Sequence, residues 1–166
     1  MILGLSLSAF TTLHVALSLV GIAAGLLVLA DLVAGRFRAG WTLLFLAATD
    51  ATSITGFLFP FDVFLPSHWV GVVSLLALTA AIVALYIKAL SGPWRAVYVV
   101  TAVLSLYLNV FVGVVQAFQK IGPLRALAPT QSEPPFAIAQ GLVLVLFVAL
   151  GFLAVRRFRP PGFGAR

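Results

Sequence analysis

The sequence predicts an all-α integral membrane protein, a five-transmembrane-helix bundle with the N-terminus outside and the C-terminus cytoplasmic. Composition is the first observation, because 63% of the 166 residues are hydrophobic and only 8% are charged. An ordinary soluble domain carries about 25% charged residues, so this chain has too little charge to cover a water-facing surface. The second observation is that the apolar residues form continuous runs of about 19 residues or more, long enough for a helix to cross a bilayer.

Five apolar runs follow one another along the chain and predict five helices. Their expected bounds are residues 8–34, 41–59, 68–90, 94–118 and 135–157. No basic residue precedes the first run, and this run is also too long for the core of a signal peptide. We therefore expect a retained first helix and not a cleaved leader.

Proline and glycine mark the connections between these helices. The short loops are bracketed by Gly35 and Gly40, by Pro60 and Pro66, and by Ser91 and Pro93. The longest connection, 122–135, is either a lid over the bundle or a proline-stiffened connector, since loops of this length are often functional. We expect Ser132 to cap the helix that follows and Pro134 to lie in its first turn.

The basic residues indicate how the bundle lies in the membrane. Of the ten Lys and Arg residues, only Lys120 and Arg125 fall on the side of the N-terminus. The other eight fall on the opposite side, and they are Arg36, Arg38, Lys88, Arg95, Arg156, Arg157, Arg159 and Arg166. Because basic residues accumulate in cytoplasmic loops, we expect one transmembrane domain over 1–158 and a short basic cytoplasmic tail over 159–166. The expected location is a plasma membrane, specifically the inner membrane of a bacterium.

Asp50 lies at the middle of the second predicted helix, among hydroxyl side chains that include Ser53 and Thr55. A carboxylate at mid-membrane costs on the order of 2.5–3.5 kcal/mol and is seldom retained without a role. Two interpretations stay open. Asp50 is either a protonated, structural hydrogen-bond donor, or a carboxyl group that handles protons or binds a ligand. For the second interpretation His14 is the first partner to test.

Each predicted helix carries one polar residue at mid-membrane or in its outer half, and these are His14, Asp50, Ser74, Asn109 and Gln140. At a rise of ~1.5 Å per residue, Asp50 and Asn109 lie about 13 Å from the outer ends of their helices. His14 and Ser74 lie about 9 Å from theirs by the same count. The inner half of the bundle is mostly aliphatic. We therefore predict a polar pocket under the 122–135 loop, reachable from outside and sealed toward the cytoplasm.

Two histidines are the candidate ligands for a cofactor. His14 shares a helix face with Gly21 and Gly25, a G-x-x-x-G pair, so it is either part of a packing seam or a ligand or proton carrier. His68 begins the third helix, where the helix N-terminus favours a neutral imidazole. Haem b held by both histidines requires the helices to tilt, because the two residues differ in depth by roughly 9 Å. Haem held by His14 alone requires no such tilt. The chain has no Cys and no zinc-binding spacing, so we predict no metal-ion site.

We expect a small membrane protein that binds a ligand or cofactor, haem-like or quinone-like, and that serves as an accessory subunit. The site residues are predicted to be His14, Asp50, Asn109, Gln140 and His68. The alternatives are a proton-coupled transporter or channel that uses Asp50 and His14, and a membrane haem oxidoreductase. No catalytic motif is present, which favours a role without catalysis. The expected partners are the lipid bilayer and either further copies of the chain or a larger membrane complex, with no nucleic acid.

Overall fold

The computed structural model describes residues 1–159, and within this range the chain is all-helical and has no β-strand. The helices are α1 (Leu7–Val33), α2 (Ala39–Gly56), α3 (Pro66–Ile82), α4 (Trp94–Lys120), α5 (Gly122–Leu127) and α6 (Pro134–Arg157). A π-helical turn, Val83–Ile87, continues α3. Of the predicted basic tail 159–166, residues 160–166 lie outside the described residues.

Within residues 1–159, four helices are long and apolar enough to cross a membrane: α1, α3 with its π-helical turn, α4 and α6. This finding indicates a membrane protein, as the composition predicts. The helix at the second predicted span, α2, is not one of the four. It has 18 residues and carries Asp50 together with several Thr and Ser side chains, which lower its mean hydropathy.

Proline lies in the first turn of both α3 and α6; this position was predicted for Pro134, whereas α3 begins at Pro66, two residues before its predicted start at His68. In a first turn the missing N–H of proline has no helical acceptor to lose. The expected cap at Ser132 is wrong. Because α6 begins at Pro134, the N-cap is Glu133, and Ser132 lies one residue too early. The 122–135 connection also contains α5, a short helix that the sequence did not predict.

Three helices pack closely together at a glycine of α1. α4 contacts α1, α2, α3 and α6, so it lies at the centre of the bundle. At Gly25, an added Cβ would lie 2.5 Å from Cδ1 of Leu106 on α4 and 2.8 Å from Cδ2 of Phe45 on α2. Both distances are shorter than a van der Waals contact, so only glycine allows this approach. The small-residue seam predicted on α1 therefore joins three helices.

An apolar core fills one half of the bundle. This half contains the C-terminal end of α1, the beginning of α2, the end of α3 and the beginning of α4. Its most deeply buried side chains include Leu32, Phe45, Leu78, Tyr98, Val99 and Leu106. At the same end, the carboxylate of Asp31 pairs with Nε of Arg36 at 3.3 Å and with Nε of Arg38 at 2.5 Å. The opposite half is less tightly filled, and there the helices enclose a cavity.

Candidate functional site

The cavity lies between α1, α2, α3 and α4, in the half of the bundle away from the apolar core. Its volume is about 490 Å³, within the range of roughly 300–1,000 Å³ that small-molecule sites occupy. Each of the four helices contributes polar side chains to the wall, and these include His14, Ser18, Ser53, His68, Ser74 and Asn109. The connection between α2 and α3 covers one side with Phe59, Pro60 and Phe61.

His14 enters the cavity wall in a defined orientation. Its Nδ1 lies 2.8 Å from the hydroxyl oxygen of Thr55 on α2. That hydroxyl donates its own hydrogen to the carbonyl oxygen of Ala51 at 2.7 Å, with a longer contact of 3.1 Å to the carbonyl of Thr52. Because a hydroxyl has a single hydrogen, the contacts of Thr55 with Ala51 and with His14 are both hydrogen bonds only when Nδ1 of His14 donates and Thr55 accepts, and we assign the ring in this way.

The tautomer of His14 follows from this hydrogen bond. In the neutral form the proton resides on Nδ1, so Nε2 keeps its lone pair. Nε2 has no hydrogen-bond partner among the residues that the structure describes. The ring also packs edge-on against Phe59, with 5.2 Å between ring centroids. His14 therefore presents a hydrogen-bond acceptor, or a ligand for a metal centre, at the cavity.

His68 has the opposite arrangement. The backbone N–H of Leu65 donates to Nδ1 of His68 at 2.9 Å, at the N-terminal end of α3. Nδ1 is thus the acceptor, and the neutral ring carries its proton on Nε2. The ring is buried beside Phe57, Phe61 and Phe64, whose centroids lie 5.6, 4.2 and 4.9 Å away. His68 therefore contributes an N–H donor.

Asn109 forms part of the wall at the deep end of the cavity, near Gly21. Its Oδ1 accepts a hydrogen bond from the Ser18 hydroxyl at 2.8 Å. Its Nδ2 has no partner within residues 1–159, although the side chain is only 8% exposed. Leaving a buried donor unpaired costs about 1–3 kcal/mol. A second unpaired group, Oγ1 of Thr49, lies close by, since a Cβ at Gly21 would be 2.9 Å from it and 3.2 Å from Nδ2 of Asn109.

The structure brings only part of the predicted site together. His14, His68 and Asn109 all line the cavity, whereas Asp50 and Gln140 are not among its lining residues in the described part of the chain. Asp50 is half-buried, and its carboxyl group makes no hydrogen bond or ion pair within 1–159. Gln140 lies on α6, which is not part of the cavity wall, and donates to the carbonyl oxygen of Phe111 at 3.1 Å.

Phenylalanines of the connection between α2 and α3 were missed as site residues. Phe59 and Phe61 line the cavity and, with Phe64, they surround the two histidines. A sequence signal existed, because several phenylalanines in a short proline-bracketed loop need apolar cover. The 122–135 connection contributes no lining residue within the described range. There it packs on α4 instead, with Nε2 of Gln131 donating to the carbonyl of Val115 at 3.0 Å.

The donor set around the cavity suits an organic ligand better than a bare metal ion. Within residues 1–159 no group of three or more His, Asp or Glu side chains is placed to hold a metal ion. The fold and the cavity together define a helical bundle of membrane-protein character with an internal site of small-molecule size. Comparison with family models, with curated proteins and with solved structures finds no match.

Proposed function

We propose that this chain is a five-span membrane protein that binds an amphiphilic, quinone-like small molecule in the cavity. The observation that carries the proposal is the cavity itself, with mostly apolar walls and several polar atoms that have no partner within 1–159, among them Nε2 of His14, Nε2 of His68 and Nδ2 of Asn109. An apolar pocket with a few convergent polar groups is the usual form of a small-molecule site.

The proposal treats α2 as the fifth span. At ~1.5 Å per residue its 18 residues extend about 27 Å, close to the hydrocarbon thickness of ~30 Å. α2 packs against α1, α3 and α4, so its polar stretch is largely shielded from lipid. Polar side chains are tolerated at membrane depth where they face protein or a cavity, and Ser53 of α2 bonds Ser74 of α3 at 3.0 Å.

Orientation supports an outward-facing cavity. Arg36, Arg38, Lys88 and Arg95 lie in or beside the loops at the core-filled end of the bundle. By the positive-inside rule that end is cytoplasmic, and the cavity then lies in the outer half, with the N-terminus outside. A plasma membrane is the location that this arrangement fits.

The exposure of two lining residues on α1 favours a ligand that dissolves in lipid. Val15 and Leu19 line the cavity and are 40% and 61% exposed. They belong to α1, a helix that is long and apolar enough to span the membrane. The cavity therefore adjoins a surface that faces the acyl chains, and an isoprenoid-type tail extending along α1 would remain in lipid while the polar ring lies inside.

The test is ligand recovery from a cavity-filling variant and a matched control. At Gly113 a Cβ would meet only Ile22, at an ordinary 3.5 Å, so Gly113→Leu fills the cavity without backbone strain. Gly141→Leu makes the same change on α6, where nothing lies within 4 Å. Mass spectrometry of organic extracts should find a quinone-like lipid with the wild type and with Gly141→Leu, and lose it with Gly113→Leu. Equal recovery from both variants contradicts the proposal.

Haem is the second candidate, because the hydrogen bond from Nδ1 to Thr55 leaves Nε2 of His14 free. Histidines that bind metals usually donate their other nitrogen in this way. His68 does not suit the second axial position, since its Nδ1 already accepts from Leu65 and Nε2 is protonated. An absorbance spectrum of the purified protein, oxidised and then reduced with dithionite, decides the matter. A Soret band that shifts on reduction supports haem, and through it the oxidoreductase alternative, whereas a featureless spectrum excludes both.

Proton-coupled transport gains less support than ligand binding. Asp50 is not among the cavity residues of the described chain, and the packed side chains of Phe45, Leu78 and Leu106 lie between the cavity and the basic end. A proton would need a polar route through that layer.

A further inference from the structure

The cavity offers hydrogen-bonding groups of two opposite kinds. The imidazole of His14 presents a lone pair on Nε2, because Nδ1 donates to Thr55. The imidazole of His68 presents an N–H on Nε2, because Nδ1 accepts from Leu65. Nδ2 of Asn109 adds a second N–H donor. One strong nitrogen acceptor and two N–H donors therefore border the same space.

The tautomer of His14 cannot change without a loss elsewhere. If the proton moved to Nε2, Nδ1 would require a hydrogen from Thr55. That hydrogen is already held by the carbonyl oxygen of Ala51 at 2.7 Å. The Thr55 hydroxyl would turn to donate to Nδ1, which keeps the contact of 2.8 Å but gives up the hydrogen bond to the Ala51 carbonyl, so the tautomer with the proton on Nδ1 is favoured by one hydrogen bond. The acceptor character of Nε2 is thus set by the interface between α1 and α2.

An oxidised quinone does not match this set. Its two carbonyl oxygens only accept hydrogen bonds, so they pair with His68 and Asn109 and offer Nε2 of His14 no donor from the ligand. A quinol carries a hydroxyl on each of those carbons. One hydroxyl donates to Nε2 of His14, and the hydroxyl oxygens still accept from the N–H donors. The reduced ring satisfies all three groups.

We propose that the cavity binds the reduced, hydroxyl-bearing form of a quinone-like lipid in preference to the oxidised form, with His14 as the acceptor that discriminates between them. This inference rests on the proposed function and deepens it, because it names the chemical form of the ligand. The expected preference is roughly tenfold in Kd, the consequence of leaving one buried polar group unpaired with the quinone. No chemical step is involved, since only binding differs.

The experiment compares three probes against the full-length protein in lipid nanodiscs under nitrogen. They are a decyl-substituted para-benzoquinone, its quinol, and the quinol's dimethyl ether, which accepts but cannot donate. Isothermal titration calorimetry should give a Kd for the quinol about tenfold lower than for either of the other two. Equal affinity of quinol and quinone, or tighter binding of the quinone or of the ether, overturns the preference while leaving the proposed function intact.

Two variants of His14 test whether this residue causes the preference for the quinol. His14→Asn keeps a nitrogen donor near the Nδ1 position for Thr55 but has no acceptor near Nε2, so the tenfold ratio should fall toward one. His14→Gln places its amide oxygen near Nε2 and should keep most of the ratio. Thr12→Val, on α1 but outside the cavity wall, controls for folding and should match the wild type. If no probe binds the wild type, the proposed function and this inference fail together. A ratio unchanged in His14→Asn overturns the role of His14.

Discussion

Nδ1 of His14 donates a hydrogen bond to the hydroxyl of Thr55 over 2.8 Å, although the two residues are 41 positions apart in the chain. This contact joins α1 to α2 inside the bundle. It also orients the imidazole of this cavity-lining residue, because the ring is held at Nδ1 while Nε2 has no partner among the described residues. One hydrogen bond therefore contributes both to packing and to the chemistry of the site.

Thr55→Val should weaken both the fold and ligand binding. The substitution removes the acceptor and leaves the N–H of His14 unpaired, a loss of about 1 kcal/mol in the free energy of unfolding. The ring is then free to rotate or to change tautomer, so affinity for the bound lipid should fall several-fold. Thermal unfolding in detergent and calorimetric titration measure the two effects. Thr12→Val is the control, since its hydroxyl bonds only the Ser8 carbonyl of its own helix. Affinity unchanged in Thr55→Val would contradict the orienting role.

Gly25→Ala should destabilise the bundle. The added Cβ would lie 2.5 Å from Leu106 and 2.8 Å from Phe45, and overpacking of a filled core costs typically about 1–3 kcal/mol. The expected result is a lower melting temperature in detergent. Gly141→Ala introduces the same methyl group where nothing lies within 4 Å, and its melting temperature should equal that of the wild type. Equal melting temperatures for both variants would show that the three helices do not meet as described.

Asp50→Asn should leave ligand binding within about twofold of the wild type. The carboxyl group is not part of the cavity wall within 1–159, and a neutral amide removes the cost of a carboxylate at membrane depth, on the order of 2.5–3.5 kcal/mol on insertion scales. Asn109→Leu is the matched comparison, because it removes a polar group of the wall itself and should reduce affinity. A larger loss of affinity in Asp50→Asn than in Asn109→Leu would indicate that Asp50 belongs to the site, and it would favour the transport alternative.

Hydropathy and turn residues suffice to predict the class of protein and the sequence of its main helices. The predicted helix at 94–118 is found as Trp94–Lys120, and that at 135–157 as Pro134–Arg157. Depth along a helix is equally accessible, because the rise per residue is constant. That count placed Asn109 in the outer half of the bundle, and the structure finds it in the wall of the cavity.

Rotation about the helix axis is what the sequence could not supply for α2. Successive residues of an α-helix turn by about 100°, so Asp50 and Ser53, three positions apart, differ in facing by only about 60°, and a modest rotation of α2 decides which of them reaches the cavity. Ser53 bonds Ser74 across the cavity wall, whereas Asp50 is not in the wall of the described cavity. The facing depends on how α2 packs against α1 and α4, which involves glycine contacts distant in sequence.

Acid should loosen the turn before α6. Glu133 is exposed and lies outside the membrane spans. Desolvation raises the pKa of its carboxyl group, but the carboxylate accepts hydrogen bonds from the Thr130 hydroxyl and from the backbone N–H groups of Thr130 and Ser132. These hydrogen bonds outweigh the desolvation, so the pKa is lowered overall. A lowered pKa in the folded state means that the turn is stabilised above the ordinary carboxyl pKa and loses this contribution as pH falls through the lowered value. As pH falls through the lowered pKa of Glu133, hydrogen exchange of the backbone amides of Thr130 and Ser132 should accelerate relative to the exchange rates of an unstructured chain at the same pH. In Glu133→Gln the exchange of these two amides should be fast at every pH. Amides that remain protected in this variant would contradict the stabilising role of the Glu133 carboxylate.

The buried carboxylate at the basic end should depend on its two arginines. Asp31 has a side chain only 3% exposed, whereas those of Arg36 and Arg38 are 67% and 50% exposed. Removing both arginines, as Arg36→Gln with Arg38→Gln, leaves a buried charge unpaired, which costs several kcal/mol. Asp31→Asn alone leaves only solvated arginines and should cost less.

The same asymmetry makes a rescue experiment decisive. Adding Asp31→Asn to the double arginine variant removes the unpaired charge, so the triple variant should melt at a higher temperature than the double variant. Additive losses would instead indicate that each side chain stabilises the bundle independently. Melting is measured on protein purified in the same detergent, because changing basic residues also alters membrane insertion. A triple variant less stable than the double variant would show that Asp31 is not held by these two arginines.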